Sequence, residues 1–491
     1  MALFLYPAVP YRSKVAKLSD NVGDYGRPAS SRDETVRQHR LKRLPVAKTD
    51  RSAATRARAA STDAAATAPS AAALLRLPND KLLEAVQRQT FRFFWEGADS
   101  TTGLAPDRRG TRDRGIEGPV TMAGSGFGVM ALIVAVERGW VARDAALERL
   151  QRMIDFLIRA PCYHGALSHF MNARTGATIP LTRKDDGGDL VETSFLCMGL
   201  LCVRQYFARN TKPERKLRAY ITDLWEGVEW NWYTQGGRHA LYWHWSPNNG
   251  WSMNHAIRGW DECLMTYLLA ASAPRHGIEP AVYHYGYAAG RNFLNGKSYY
   301  GTELPLGMPY GGPLFFTHYS FSGLDPRGLK DRYADYWQQN VNHVRINYAH
   351  CVANPHRHRG YGPACWGLTA SDGKQGYAMH DPVNDDGTIS PTAAVASLPY
   401  APRASMRALR HFLGGYGGKL WGKYGLIDAF SETRAWYADS FLAIDQGPII
   451  LMIENYRTGL LWKLFMSVPE VQTGLRKLGF DSPHLHRRTR S

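Results

Sequence analysis

From Asn79 onward, apolar residues recur at three- and four-residue steps. Leu82, Leu83, Val86, Thr90, Phe91 and Phe94 form one face of an amphipathic helix that Asn79 or Asp80 can cap. The pattern stops before Gly103. The same spacing predicts helices over 126–138, 144–159, 189–208, 214–230, 259–272, 280–293, 328–349, 403–413, 447–463 and 468–478. Loops rich in Gly, Pro and Trp separate them, and no hairpin dipeptide stands between alternating strands. Many helices joined by long loops, with no linker after Pro78, predict an all-α fold: one α/α toroid carrying its ligand chemistry on loops at one end.

Residues 1–77 do not fit this pattern. From Ser30 to Ala73 the chain is rich in Arg, Ala, Ser and Thr and poor in large apolar residues, which predicts a disordered or processed leader. The folded domain is expected over 78–480, with a basic tail at 481–491. The net charge of +17 reflects 60 Lys and Arg against 43 Asp and Glu. Residues 1–76 alone hold 14 against 6, so nearly half of the excess lies in the leader, and no nucleic-acid-binding signature accompanies it. Nucleic acid is therefore not an expected partner. No apolar run is long enough to span a bilayer, and the opening MALFLYPAVP is a poor secretory signal.

Candidate chemistry begins with the tryptophans. Trp225, Trp230, Trp232, Trp243, Trp245, Trp251 and Trp260 crowd into one stretch, and the loop Leu241 to Trp251 is closed by Asn254, His255 and Arg258. Sugar rings offer flat C–H faces and a rim of hydroxyls, so their sites combine aromatic platforms with short polar side chains. A packed aromatic corner is the competing reading. Glycoside hydrolysis also needs two carboxyl groups, and three settings offer them. Glu192 opens an otherwise apolar helix, Asp385 and Asp386 lie in a turn leading into a helix, and Asp261 and Glu262 directly follow the aromatic loop. Six cysteines include no C-x-x-C pair, and His356 and His358 are flanked by arginines that oppose a cation, so no metal is expected. The glycines of Gly124 to Gly128 lack a preceding strand or P-loop lysine, which excludes a nucleotide loop, and no G-x-S-x-G elbow marks a serine hydrolase.

Several phrases occur as a set: Phe91-Arg-Phe-Phe-Trp-Glu96, Thr102-Gly-Leu-Ala-Pro-Asp-Arg108, Val191-Glu-Thr-Ser-Phe195, Tyr242-Trp-His-Trp-Ser-Pro247 and Phe316-Thr-His-Tyr-Ser-Phe321. Gly323-Leu-Asp-Pro326, Cys365-Trp-Gly-Leu-Thr-Ala-Ser-Asp372, Asp386-Gly-Thr-Ile-Ser-Pro-Thr392, Asp445-Gln-Gly-Pro448 and Ile453-Glu-Asn-Tyr-Arg-Thr-Gly459 continue the series. Together they resemble the glycoamylase-like domain, related to glycoside hydrolase family 144 and to a domain of cyclic β-1,2-glucan synthases. The likeness runs from about residue 78 to 480.

The resemblance implies an (α/α)6 barrel, a cleft for gluco-oligosaccharide and inverting hydrolysis of β-linked glucan, β-1,2-glucan above all, without metal or organic cofactor. Transglycosylation, another linkage, or binding without catalysis are the alternatives. It places the V-E-T glutamate on Glu192 and the D-x-G-x-I-x-P-T aspartate on Asp385. On that basis Glu192 is the expected general acid and Asp385 the base, with Asp386 in reserve, roughly 6.5 to 9.5 Å apart for direct inversion. Trp243, His244, Trp245, Trp251, Arg258, Asp261, Glu262, His318, Tyr319, Trp366, Thr369 and Asp372 are the expected substrate contacts. Asp261 stands where Asn precedes the Glu in the family, and Ser322 where Leu is usual. The family's glucanases are exported, so a periplasmic or secreted enzyme is expected, with a cytoplasmic one the alternative.

Overall fold

The computed structural model describes residues 68–112 and 118–485. The helices are α1 (Ala71–Leu75), α2 (Asn79–Trp95), α3 (Met122–Glu137), α4 (Arg143–Leu157), α5 (Leu190–Tyr206), α6 (Lys212–Glu226) and α7 (Leu264–Ser272). They continue with α8 (Tyr336–Ala353), α9 (Pro391–Ala396), α10 (Pro402–His411), α11 (Ala443–Arg457), α12 (Leu460–Met466) and α13 (Pro469–Lys477).

Two kinds of helix alternate along much of the chain, and composition decides which layer each occupies. α3, α5, α7, α9 and α11 are buried along nearly their whole lengths, as expected of helices apolar on all sides. They pack side by side in the order α7, α5, α3, α11, α9. α2, α4, α6, α10 and α13 each bury one stripe against this inner layer or against one another and face solvent with the other. Small residues let α3 and α5 approach closely. A Cβ added at Gly126 would lie 2.3 Å from the Phe195 carbonyl oxygen, and one at Gly199 2.2 Å from that of Gly126. The glycine-rich phrase near residue 124 thus serves helix packing.

Contacts at the first turns show that the inner helices run parallel. Ser194 Oγ lies 2.9 Å from Thr266 Oγ1, joining α5 to α7, and Glu192 accepts from Ala123 N of α3. Gly124 packs against Ala443 at the start of α11. The N-terminal ends of four helices therefore meet on one face, where partial positive charge favours carboxylates.

Several boundaries differ from the sequence reading. The stretch 447–463 is two helices parted at Gly459, whose φ is +67°. α8 starts at Tyr336, where the Asp335 side chain accepts from Gln338 N. A hairpin, Leu294–Tyr299 with Thr302–Leu306, stands where no strand was expected. Its turn is Tyr300-Gly301, with φ of +50° and +73°, a pairing outside the usual Asn-Gly signal. Other short strand pairs lie in the loops, so the fold is helix-rich rather than purely helical.

The packed chain also begins earlier than Pro78. Leu74 is buried, Trp421 Nε1 donates to the Pro69 carbonyl at 2.9 Å, and Arg410 donates to the carbonyls of Leu75 and Leu77. At the other end, Ser482 is buried and His484 Nε2 lies 2.9 Å from Asp325 Oδ2. The expectations for residues 1–67 and 486–491 lie outside the described residues. No described helix is long and apolar enough to cross a membrane.

Candidate active site

Asp189 is the N-cap of α5, and its Oδ1 accepts from Val191 N and Glu192 N at 3.0 and 2.9 Å. Its Oδ2 accepts from His169 Nδ1 at 2.9 Å and from Trp243 Nε1 at 3.1 Å. Burial alone would raise the Asp189 carboxyl, but the His169 hydrogen bond and the nearby His244 hold it below the usual carboxylate range. His169 changes in the opposite sense. Burial disfavours its charge, yet Glu192 and Asp189 raise it to about 10, so it is a cation at neutral pH.

Glu192 stands three residues into α5. Its Oε2 accepts from Ala123 N at 2.7 Å and Thr121 Oγ1 at 2.9 Å, so it caps the neighbouring helix α3. Its Oε1 faces His169 Nε2 at 3.9 Å. Burial raises its pKa against the pull of His169, and Asp189 adds to the rise.

Glu262 stands just before Cys263, the N-cap of α7. It is half-buried, and burial, then Asp261, with Asp189 and Glu192 beyond, push it well above the usual range. Asp261 is itself raised to about 6 by burial, with Oδ1 accepting from Cys263 N at 2.9 Å. A second group of carboxylates lies at the start of α11. Arg108 bridges Asp107 and Asp372, Asp372 N donates to Asp428 Oδ2 at 2.6 Å, and the Ser440 hydroxyl donates to Asp372. Burial raises Asp445 to about 7, and burial with Asp445 raises Asp428 well above its usual value. Tyr319 links the two groups. Its buried ring packs on Phe127 and Phe195, and its phenol, raised first by burial, feels the charges of both Asp445 and Glu262.

The expected site residues divide accordingly. Glu192, Trp243, His244, Asp261, Glu262, Tyr319 and Asp372 come together on this face. Trp243 is half-buried and stacks on His255 with centroids 5.1 Å apart. His244 Nδ1 stands 3.1 Å from Asp185 Oδ1, while His244 Nε2 and Asp185 Oδ2 are buried without a protein hydrogen-bond partner. Arg258 is exposed, and its Nη1 donates to the Tyr285 carbonyl at 3.5 Å. Trp251 is half-buried among Tyr233, Tyr242 and Trp232.

Four expected contacts are core instead. Trp366 is fully buried, Thr369 Oγ1 accepts from Phe315 N, and His318 is buried against Ser397 with its pKa lowered to about 3. Trp245 is 9% exposed and packs on His164 and Trp232. A strand pairs Gly188 with Trp245 and Asp189 with His244, so His244 and Trp245 point to opposite faces. Trp245→Ala is therefore expected to cost about 3 kcal/mol of folding stability, read as a lower urea midpoint.

The Asp385 assignment also changes. Its carboxylate is 1% exposed and accepts from His350 Nε2, Tyr361 OH and Gly387 N. These three bonds enclose the carboxylate and hold it ionised, with its pKa below the usual range against the effect of burial. Asp386 is paired with Arg434 and His380. Among the described residues, no hydrogen bond links either aspartate to the Glu192 group.

The chain matches the family model Glycoamylase, described as "Putative glucoamylase", over residues 254–469. It is 52% identical to the endo-β-1,2-glucanase from Chitinophaga pinensis, whose structure with sophorotriose and glucose superposes with a TM-score of 0.80 over 83% of this chain and 100% of that one. The chain belongs to the glycoamylase-like family. Within that family it is 43% identical, over 424 residues, to the exo β-1,2-glucooligosaccharide sophorohydrolase (non-reducing end) of Parabacteroides distasonis, covering 82% of this chain and 58% of the relative. The β-1,2-glucanase structure from Parabacteroides distasonis matches at 43% identity and TM-score 0.79, over 82% of this chain and 60% of that one. This glycoamylase-like chain thus spans well under two thirds of those longer relatives.

Residue-by-residue reading missed His169, Asp185, Asp189, Arg108, Asp428 and Asp445. A signal existed for two of them, Asp185 and Asp189. The spacing Asp185, Asp189, Glu192 places a capping aspartate three residues before a glutamate, the pattern of a helix start with two carboxylates on one end.

Proposed function

We propose that this protein hydrolyses β-1,2-glucan with inversion, at one end of an (α/α)6 barrel, with Glu262 as general acid and Glu192 as general base. The observation that carries this reading is a pair of carboxyl groups at the starts of adjacent inner helices, close enough that Asp189 and Glu192 both add to the rise of Glu262. Glu192 and Glu262 are both raised, and Glu262, which is more accessible than Glu192, is raised well above its usual value. In such a pair the group that holds its proton more tightly serves as the acid. Glu192 lies between the α3 N-terminus and the His169 cation, both of which favour its charged form over that of Glu262.

In the reaction, the Glu262 proton passes to the glycosidic oxygen as the bond to the anomeric carbon breaks. A water on the opposite face loses a proton to Glu192 and forms the new C–O bond. The acid is left ionised and the base protonated, and exchange with solvent restores both. Trp243 supplies a partly open aromatic platform. The unpaired polar atoms of Asp185 and His244 are buried groups of the kind that substrate hydroxyls satisfy.

The test is incubation with linear and cyclic β-1,2-glucan, sophoro-oligosaccharides, and β-1,3- and β-1,4-glucans. Chromatography identifies the products, and NMR identifies the anomer first released. Release from β-1,2-linked substrates with the α-anomer first is expected. A folded protein that releases sugar from none of them would falsify the reading, and a first-formed β-anomer would overturn inversion.

A further inference from the structure

A second group of metal-ligand side chains lies at the C-terminal end of α8, apart from the carboxylates of the proposed reaction. His350 occupies the last turn of α8, and His356 and His358 follow in the loop Asn354-Pro-His-Arg-His. All three turn toward Asp385. His350 Nε2 is 2.8 Å from Asp385 Oδ2, and His358 Nε2 is 3.4 Å from Asp385 Oδ1. Ligand atoms of His350, His356 and Asp385 lie within 4.8 Å of one another. Two neighbours around a tetrahedral ion with bonds of about 2.0–2.1 Å stand a little over 3 Å apart, so the 3.4 Å separation fits as it stands, and the 2.8 Å hydrogen bond opens slightly as an ion replaces its proton.

The backbone is shaped for this convergence. Asn354 and Arg357 both have left-handed φ, +44° and +56°, unfavourable for residues with side chains. Asn354 holds the loop closed, with Oδ1 accepting from His358 N at 2.7 Å and Nδ2 donating to the His358 carbonyl at 2.8 Å. The strained Arg357 between the two histidines lets both rings lie on the Asp385 side. Gly387 completes the fit, since a Cβ there would lie 2.8 Å from His358 Nδ1.

Two hydrogen-bonding features point to a ligand. His358 Nε2 is buried and makes no hydrogen bond in the described structure. His350 Nδ1 is 2.9 Å from the hydroxyl of Tyr300, which the hairpin turn carries over the ring. A metal-binding imidazole commonly has its second nitrogen fixed by such an oxygen, which sets the tautomer. Tyr361 OH likewise braces the Asp385 carboxylate at 2.7 Å. Arg357 and Arg359 are exposed, so water and salt screen the repulsion that their sequence positions suggest.

We propose that His350, His356, His358 and Asp385 form a structural site for a divalent transition cation with nitrogen preference, Zn²⁺ being the type, that pins the loop after α8 to the turn leading into α9. His350, His356 and Asp385 form the nucleus of the set, and His358, with Nε2 3.4 Å from Asp385 Oδ1, completes it. The site ties α8 to the segment that leads into the inner helix α9, so its effect is on stability and is independent of the proposed reaction.

The test uses the full-length protein dialysed against chelator. Titration with ZnCl₂ followed by calorimetry is expected to give one equivalent bound, and the melting temperature is expected to rise with added Zn²⁺. His356→Ala keeps the fold because its side chain is exposed, and it is expected to weaken Zn²⁺ binding by at least ~10-fold. His358→Ala is expected to do the same. Co²⁺ in place of Zn²⁺ is expected to give the intense visible absorption of tetrahedral coordination, lost in His356→Ala. Absence of stoichiometric Zn²⁺ binding, or unchanged affinity in both histidine variants, would overturn the proposal.

Discussion

Glu262→Gln lowers kcat on β-1,2-glucan by about 10²–10⁴-fold while leaving the unfolding midpoint near that of the parent, because it removes one proton donor and keeps its shape. The effect should depend on the leaving group. A substrate that departs as a phenolate needs no proton, so the variant should lose far less on an aryl glycoside than on glucan. Glu192→Gln removes the group that activates water and should be slow on both. The pH profile adds a separate check. Activity requires Glu262 protonated, so the parent loses activity as pH rises through its raised pKa, and Glu262→Gln should lack that alkaline limb. Near-normal turnover in both variants would reject the assignment, and equal losses on both substrates in Glu262→Gln would remove its role as acid.

The largest stability loss is expected at the other end of the inner helices. Glu454, near the end of α11, is fully buried and accepts from Arg138 Nε and Nη2 at 2.9 Å each, from Thr458 Oγ1 at 2.7 Å and from Gln87 Nε2 at 3.2 Å. A carboxylate at a helix C-terminus faces partial negative charge, so it depends on this arginine. Arg138→Ala leaves Glu454 without its cation and should cost about 3–5 kcal/mol. Replacing both residues with apolar side chains of similar volume should recover most of that loss. Urea denaturation of the two single variants and the double variant measures the coupling. A single-variant loss below about 1 kcal/mol, the ceiling for an exposed pair, would contradict it.

The two predictions concern opposite ends of one layer. At the N-terminal ends, burial raises most of the carboxyl groups, and His169 keeps Asp189 ionised among them. At the C-terminal ends, α3 and α11 are fastened through Arg138 and Glu454. The proposed chemistry and much of the stability are thus separated by the length of the inner helices.

The helical character of the chain and its family are legible in the residues alone, because apolar periodicity and ordered phrases are local signals. The sequence also marks Glu192 and Glu262 as carboxyl groups of interest, since one opens an apolar helix and the other follows the aromatic loop. Only the tertiary structure decided which groups meet. Glu192 reaches Thr121 and Ala123 across 71 and 69 residues of chain, and helix-start contacts make α3, α5, α7 and α11 parallel. Periodicity encodes neither fact. Asp385 shows the same limit from the other side. The family resemblance makes it the expected base, yet His350, 35 residues earlier, and Tyr361 enclose it. Trp245 and Trp366 are aromatic residues in sugar-like surroundings that the fold uses as core. Whether a side chain faces solvent depends on what packs over it, and for these residues that comes from distant segments.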